Sequence, residues 1–141
     1  MGVQISEVEN ASEARAIVRE AKYPPIGNRG ISGQGMHTGY KSYGTRHGSE
    51  YAPWANANII ICPSIETIAG LENVEAIAAV EGIDMIAYGH SDLSARLGIH
   101  LDLEHPRFKA AVHRIAKACS QHALGQGPIR HWANVHSAGR L

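Results

Sequence analysis

Two apolar runs that each lead to an acid constrain this chain more than any other feature. Residues 59–62 (Ile-Ile-Ile-Cys) and much of 83–87 (Ile-Asp-Met-Ile-Ala) are apolar and largely β-branched, with little polar alternation. Such runs suit parallel strands buried on both faces rather than strands with one wet side. Glu66 follows the first run and Asp92 the second, 26 residues apart. That interval accommodates a strand, a crossover helix and the next strand. A right-handed crossover then sets both carboxylates at the C-terminal edge of one sheet, where parallel α/β folds hold their ligands.

Two carboxylates at that edge suffice for a hard divalent cation. Mg²⁺ and Mn²⁺ take oxygen ligands, retain waters and commonly need one or two protein carboxylates plus substrate oxygens. The same residues have a plainer reading, in which Glu66 caps a helix and Asp92 begins the next, Asp being a favoured N-cap. On the pattern alone, capping without metal is the favoured reading.

Length and charge bound the rest. The 141 residues are ordinarily one domain, and a complete (β/α)₈ barrel of about 250 residues does not fit into them. Lys plus Arg and Asp plus Glu are both 13, for a formal net charge of +0, which argues against a nucleic-acid surface. No apolar run approaches the about 18 residues needed to span a bilayer, and residues 1–4 lack the basic and apolar regions of a secretory signal. The expected compartment is the cytoplasm, with no membrane partner. Cys62 in a buried strand and Cys119 in a helix read as reduced core thiols, since neither sits in a Cys-x-x-Cys motif.

In chain order, residues 3–8 read as a strand. Asn10, with Glu13 three residues on, is an N-cap signal for a helix with Ala14, Ile17, Val18 and Ala21 on one face. Pro24-Pro25 stops that helix. Glu7 reads as a solvated strand-end acid, with a third metal or proton-transfer group as the sharper alternative. Residues 26–50 are glycine-rich and aperiodic, the pattern of a functional or disordered loop. Gly33-Gln34-Gly35 precedes no helical pattern and is not a dinucleotide fingerprint. Leu71, Val74, Ile77 and Ala78 give the next helix its apolar face, with Gly82 as its C′ residue. Pro106 opens a longer helix with Phe108, Ala111, Val112, Ile115, Cys119 and the terminal His122 along its inner stripe. From Gly125 the apolar pattern ends, and residues 125–141 read as an irregular tail.

Several of these segments form a set. Pro63-Ser64-Ile65-Glu66-Thr67, Leu71-Glu72-Asn73, Ala78-Ala79-Val80-Glu81-Gly82-Ile83-Asp84 and Gly89-His90-Ser91-Asp92-Leu93-Ser94, with Tyr23-Pro24-Pro25-Ile26-Gly27-Asn28-Arg29-Gly30 before them and His105-Pro106 after, resemble the HpcH/HpaI aldolase family. That family includes 4-hydroxy-2-oxoheptanedioate aldolase and 2-keto-3-deoxy sugar acid aldolases, with macrophomate synthase among its fungal relatives. The resemblance runs in unbroken order over about residues 3–123. It implies an α/β fold that is part of a (β/α)₈ TIM barrel of the phosphoenolpyruvate/pyruvate type, roughly strands 4 to 6 with their helices. Residues 1–124 then form the barrel-like domain and 125–141 the tail.

The resemblance also implies residue roles. Glu66 and Asp92 correspond to the acids that hold Mg²⁺ or Mn²⁺, which in the family binds a small keto acid. Ser64, where the family usually has Gln, and Ser91, in Gly89-His90-Ser91 where Gly-Pro-Ala is usual, fall at positions facing the substrate, with Asp92 beside them. Arg29 falls beside the barrel mouth, and Tyr51 on the lead into the metal-bearing strand. The implied reaction is reversible C–C cleavage of pyruvate-derived 2-keto acids through an enolate, the work of an aldolase or other lyase.

The family's catalytic histidine and enolate-stabilising arginine have no matching positions, so only Glu7, His37, Tyr51 or His90 stands as a substitute base. The expected outcome for this chain by itself is weak or no cleavage, together with self-association into a homo-oligomer, since a partial barrel leaves unpaired strand edges. Two alternatives stand beside this one: a truncated, non-catalytic module that binds a partner or itself, and a decarboxylase or cyclisation catalyst on oxaloacetate-like acids.

Overall fold

A computed structural model describes residues 2–31, 35–36 and 48–128 of the chain. The elements run β1 (Gly2–Ile5), α1 (Ala11–Ala21), α2 (Gly48–Asn58), β2 (Ile60–Ile65), α3 (Ile68–Glu72), α4 (Val74–Ala78), β3 (Met85–Tyr88), α5 (His90–Arg96), α6 (Pro106–Gln121) and β4 (Gly125–Pro128). The four strands pair in sequential order and all in parallel. Each strand therefore returns through helices, which is the repeating unit of a (β/α)₈ barrel.

Side-chain alternation explains why the strand runs lack polar residues. Ile59, Ile61, Ile65 and Ile86 face the helices and join Ala14, Val18, Val74, Ile77, Phe108, Ala111 and Ile115 in the main core. Ile60, Cys62, Met85 and Ala87 form a second apolar cluster, as residues of opposite parity along a strand point to opposite faces. Both thiols are free and buried, and burial pushes each up to about 11.

The helix ends follow local chemistry. The Asn10 side chain accepts from the Glu13 N–H, and the Glu13 carboxylate accepts from the Glu9 N–H, so the first turn of α1 is closed by side chains. The helix after β2 is split at Asn73, whose amide donates to Glu9 O and ties the break to the β1–α1 connection. That helix ends at Ala78 with Ala79 as its cap, so Gly82 is not its C′ residue. Gly82 instead turns the chain at φ +94, where a Cβ would lie 2.7 Å from Val18 Cγ1. Pro106 opens α6 as expected, behind a His105 ring that accepts from the Arg107 N–H.

Three expectations are corrected. The first strand stops at Ile5 rather than reaching residue 8, because Glu7 turns the backbone to a left-handed φ of 54. Residues 48–58 form α2, where residues 48–50 were expected to end the aperiodic loop and Tyr51 to lie on a plain lead into the strand, and the helix forms with Pro53 inside it. Tertiary contacts outweigh that local preference: Asn56 exchanges two hydrogen bonds with the Tyr23 backbone, and the buried Lys22 ammonium donates to Asn56 O in the last turn. A cation there complements the carbonyl end of a helix that has no basic residue of its own in that turn. Finally, residues 125–128, expected to begin an irregular tail, form β4 against Met85–Tyr88. A parallel strand here needs only backbone pairing, which Gly-Gln-Gly supplies without an apolar signature. Residues 129–141, the rest of that tail, lie outside the described residues, as do His37 and most of the glycine-rich loop.

Candidate functional site

The carboxyl ends of β1, β2 and β3 lie at one edge of the sheet. Ser64 pairs across to Ala87 and Ile65 to Tyr88, so Glu66 and Gly89 leave the two strands at the same level. Val8 N–H donates to Ser64 O at 3.2 Å, which draws the chain after β1 to the same place.

Glu66 is buried, with 6% of its surface exposed, and Ser64 is fully enclosed. The Ser64 hydroxyl donates to Glu66 Oε1 at 2.9 Å. No cationic side chain meets this carboxylate among the described residues, although an ionised acid in a dry setting is costly without a counter-charge. Gly89 makes room for it, since a Cβ there would stand 2.7 Å from Glu66 Cγ and 2.8 Å from Oε1. The capping alternative fails for this acid. Thr67 is the N-cap of α3, accepting from Gly70 N–H at 2.9 Å.

Asp92 is exposed in the first turn of α5, one turn on from Gly89, which is the N-cap and makes no side-chain cap bond. Asp92 is thus not the N-cap residue either. Ser91 is exposed beside it and accepts through its carbonyl from the Ser94 hydroxyl. His90 is half-buried at the start of the same helix.

Arg29 and Tyr51 are elsewhere. Arg29 packs over the Tyr23 ring at 4.6 Å and lines a recess with Tyr51, Trp54, Ala55, Asn58 and Ile59, at the entry to β2. Glu66 leaves the other end of that strand, about 20 Å away at 3.3 Å per residue. The structure therefore does not bring Arg29 together with Ser64, Glu66, Ser91 or Asp92. Tyr51 packs on Tyr23 and Trp54, and burial, followed by the neighbouring Tyr23, pushes its phenol up while Arg29 opposes.

Two residues at the carboxyl edge were given no role by the sequence reading. Gly89 entered it only as the first residue of the family-like Gly89-His90-Ser91 segment. Arg96 ends α5 and pairs with Glu7; its spacing of four from Asp92, which puts the two on one helix face, was the available sign. Among the described residues no three His, Cys, Asp or Glu side chains gather into a metal-binding group, so a cation here would rest on the two carboxylates and on oxygens from substrate and water.

Comparison with known proteins agrees with this architecture. The family model for HpcH/HpaI aldolase/citrate lyase matches residues 1–125. A 4-hydroxy-4-methyl-2-oxoglutarate aldolase of Hapsidospora irregularis is 33% identical over 97% of this chain and 53% of its own length. A 5-keto-4-deoxy-D-glucarate aldolase of Klebsiella pneumoniae is 39% identical over 85% of this chain and 45% of its own. The chain thus spans about half the length of these relatives. Among solved structures, an HpcH/HpaI aldolase from Desulfitobacterium hafniense superposes with a TM-score of 0.80 at 33% identity, covering 90% of this chain and 48% of that one. Macrophomate synthase superposes at 0.74 with 30% identity, covering 89% and 44%. The parallel α/β unit with its two edge acids is part of a (β/α)₈ barrel, and the chain belongs to the HpcH/HpaI aldolase/citrate lyase family.

Proposed function

We propose that this chain carries the cation and keto-acid half of an aldolase site, acting on 2-keto acids by reversible C–C cleavage. The observation that carries the reading is Glu66: a buried carboxylate with one hydroxyl donor, a glycine cleared away from its face and no helix to cap. Asp92 is one helical turn past that glycine, about 5–6 Å in side-chain origin. Oxygen donors and an incompletely compensated charge fit Mg²⁺ or Mn²⁺ held by Glu66 and Asp92. Such an ion supplies Lewis-acid polarisation of a keto oxygen.

The protein's own contribution is placement. Ser64 holds one carboxylate oxygen, and Gly89 lets the acid lie against the start of α5. Ser91 and the backbone beside it face the keto acid. In the reaction, the C3–C4 bond of a 4-hydroxy-2-keto acid breaks and its electron pair passes to the 2-keto group as an enolate. The C4 hydroxyl loses its proton, and protonation at C3 completes pyruvate beside a carbonyl fragment. A positioned base for that hydroxyl contributes typically about 10²–10⁴-fold. Of the substitute bases, Glu7 and His90 are at this edge, Tyr51 is at the opposite one, and His37 is outside the described residues. Self-association belongs to the same reading, because β1 and β4 are the outer strands of the described sheet. The family relation and the aldolases named among its relatives support the reaction class.

Proton relaxation of the pyruvate methyl group tests this. With Mn²⁺ and the chain together, the expected result is enhanced relaxation beyond that of Mn²⁺ and pyruvate alone, lost in Asp92→Asn. No enhancement by the unaltered chain would remove the keto acid from the site.

A further inference from the structure

The Ser94 hydroxyl meets neither cation nor keto acid in the function proposed above, yet it is tied to both ends of the helix that carries Asp92. We propose that Ser94 is a positioning residue for Asp92, fixing the peptide that leads into this acid and, through it, the affinity for the cation; this rests on the cation reading of the site.

The freedom of Asp92 comes first. It is exposed in the first turn of α5, and among the described residues no hydrogen bond or ion pair holds its carboxylate. Its place relative to Glu66 is therefore set by the backbone that carries it. On one side, Leu93 N–H donates to Gly89 O at 2.8 Å, and Gly89 lies against Glu66. On the other, the Ser94 hydroxyl donates at 2.9 Å to Ser91 O, the carbonyl of the peptide that joins Ser91 to Asp92.

Ser94 is itself anchored from behind. It is fully buried, and its carbonyl accepts from Ile99 N–H at 3.0 Å while Ala95 O accepts from Gly98 N–H at 2.9 Å. These are the paired bonds of a Schellman cap, with Gly98 at φ +74. The chain then turns back on itself: Asp102 N–H donates to Ile99 O at 3.0 Å, with His100 and Leu101 between them at φ 30 and 62. Two adjacent L residues in left-handed backbone persist only where their surroundings hold them there. The turn delivers Leu101 N–H to Ser94 Oγ at 3.0 Å. A hydroxyl has one proton to donate, and here it goes to Ser91 O. With both bonds made, the side chain joins the turn after α5 to the turn that presents Asp92. Alanine at 94 would cut that link and leave the Leu101 N–H without its acceptor.

Titration calorimetry of Mn²⁺ into the chain and into Ser94→Ala, Ser94→Cys and Ile115→Val, with Tm measured for each, tests the assignment. Ser94→Ala should lose about three- to tenfold in affinity, at or below the lower end for groups that orient a metal ligand. Ser94→Cys, which fills the space with a weaker donor and acceptor, should lose affinity in the same range. Ile115→Val removes a methyl group from the main core on α6 and should lower Tm without changing the affinity. In an Asp92→Asn background, Ser94→Ala should cost nothing further, because its effect passes through that acid. An unchanged affinity in Ser94→Ala, full recovery in Ser94→Cys, a matching loss in Ile115→Val, or a Ser94→Ala loss that persists beside Asp92→Asn each overturns the assignment and leaves the two-carboxylate site standing. If the unaltered chain binds no Mn²⁺, the cation reading itself fails, and this inference with it.

Discussion

At the scale of single residues, the informative feature is a missing atom. Gly89 has φ −82, a value open to any residue, so its glycine is not required by the backbone. It is required by Glu66, whose Cγ, Cδ and Oε1 would lie 2.7–2.9 Å from a Cβ. Gly89→Ala should therefore destabilise the fold by about 1–3 kcal/mol, as overpacking does, and most of that loss should vanish when Glu66→Ala removes the obstructing side chain. Chemical denaturation of the two single variants and the double variant gives the coupling directly. Additive losses would mean that the two residues do not meet. Ser64 illustrates a different limit of sequence reading. Its position opposite substrate followed from the family pattern, but its hydroxyl is directed to Glu66 Oε1, and a serine in an apolar strand does not announce which neighbour it serves. Glu66 and Asp92 could be singled out in the sequence because each follows an apolar run within a few residues, whereas Arg96 lay in a short helix with no apolar periodicity to point to it.

Elements were legible where local and tertiary preferences agree. The Asn10 cap, the apolar stripe of α1 and the Pro106 start of α6 are all set by short-range chemistry, and each is where the sequence placed it. The misses came where distant contacts decide: α2 forms despite Pro53 because Lys22 and Asn56 bind it to the segment after α1, and β4 forms from Gly-Gln-Gly because β3 offers it a backbone edge. One long-range tie between elements makes a pH prediction. Arg114 of α6 donates to both carboxylate oxygens of Glu75 on α4 at 2.8 Å and to Glu72 O. The hydrogen bond from Arg114 holds the Glu75 carboxyl below its usual range. A carboxyl lowered by folding stabilises the fold above its unfolded pKa, and that stabilisation is lost as pH falls through the folded value. Both side chains are about half exposed, 42% and 48%, so the effect is modest. Arg114→Ala should lower Tm at pH 7 and leave a progressively smaller difference as the pH is lowered through the folded pKa of Glu75, where its carboxylate is lost. An equal difference throughout that range would assign the loss to packing of the arginine stem instead.

At the scale of the whole molecule, the described residues form a run of parallel βα units, with Glu66 and Asp92 at the carboxyl edge and an aromatic cluster at the other. At the entry edge of β2, Tyr23, Arg29, Tyr51 and Trp54 stack together, and a neighbouring hollow of about 280 Å³ is lined by Pro24, Pro25, Ile26, Pro53, Asn56 and Ala57 with no ionisable side chain. The family resemblance implied Arg29 beside the mouth, whereas the segment after α1 leads into β2 and holds Arg29 at the entry edge. No helix among the described residues is long and apolar enough to cross a membrane. The matched relatives are about twice as long, and Glu66 and Asp92 fall within the residues matched by the family model. The central claim is that Glu66 and Asp92 share one divalent cation. Titration calorimetry of Mn²⁺ into the chain, into Glu66→Gln and into Asp92→Asn tests it most directly. The account predicts one site per chain in the unaltered protein and a loss of at least about tenfold in affinity in each variant, the scale of removing a charged ligand. Binding of equal strength in all three proteins would contradict it.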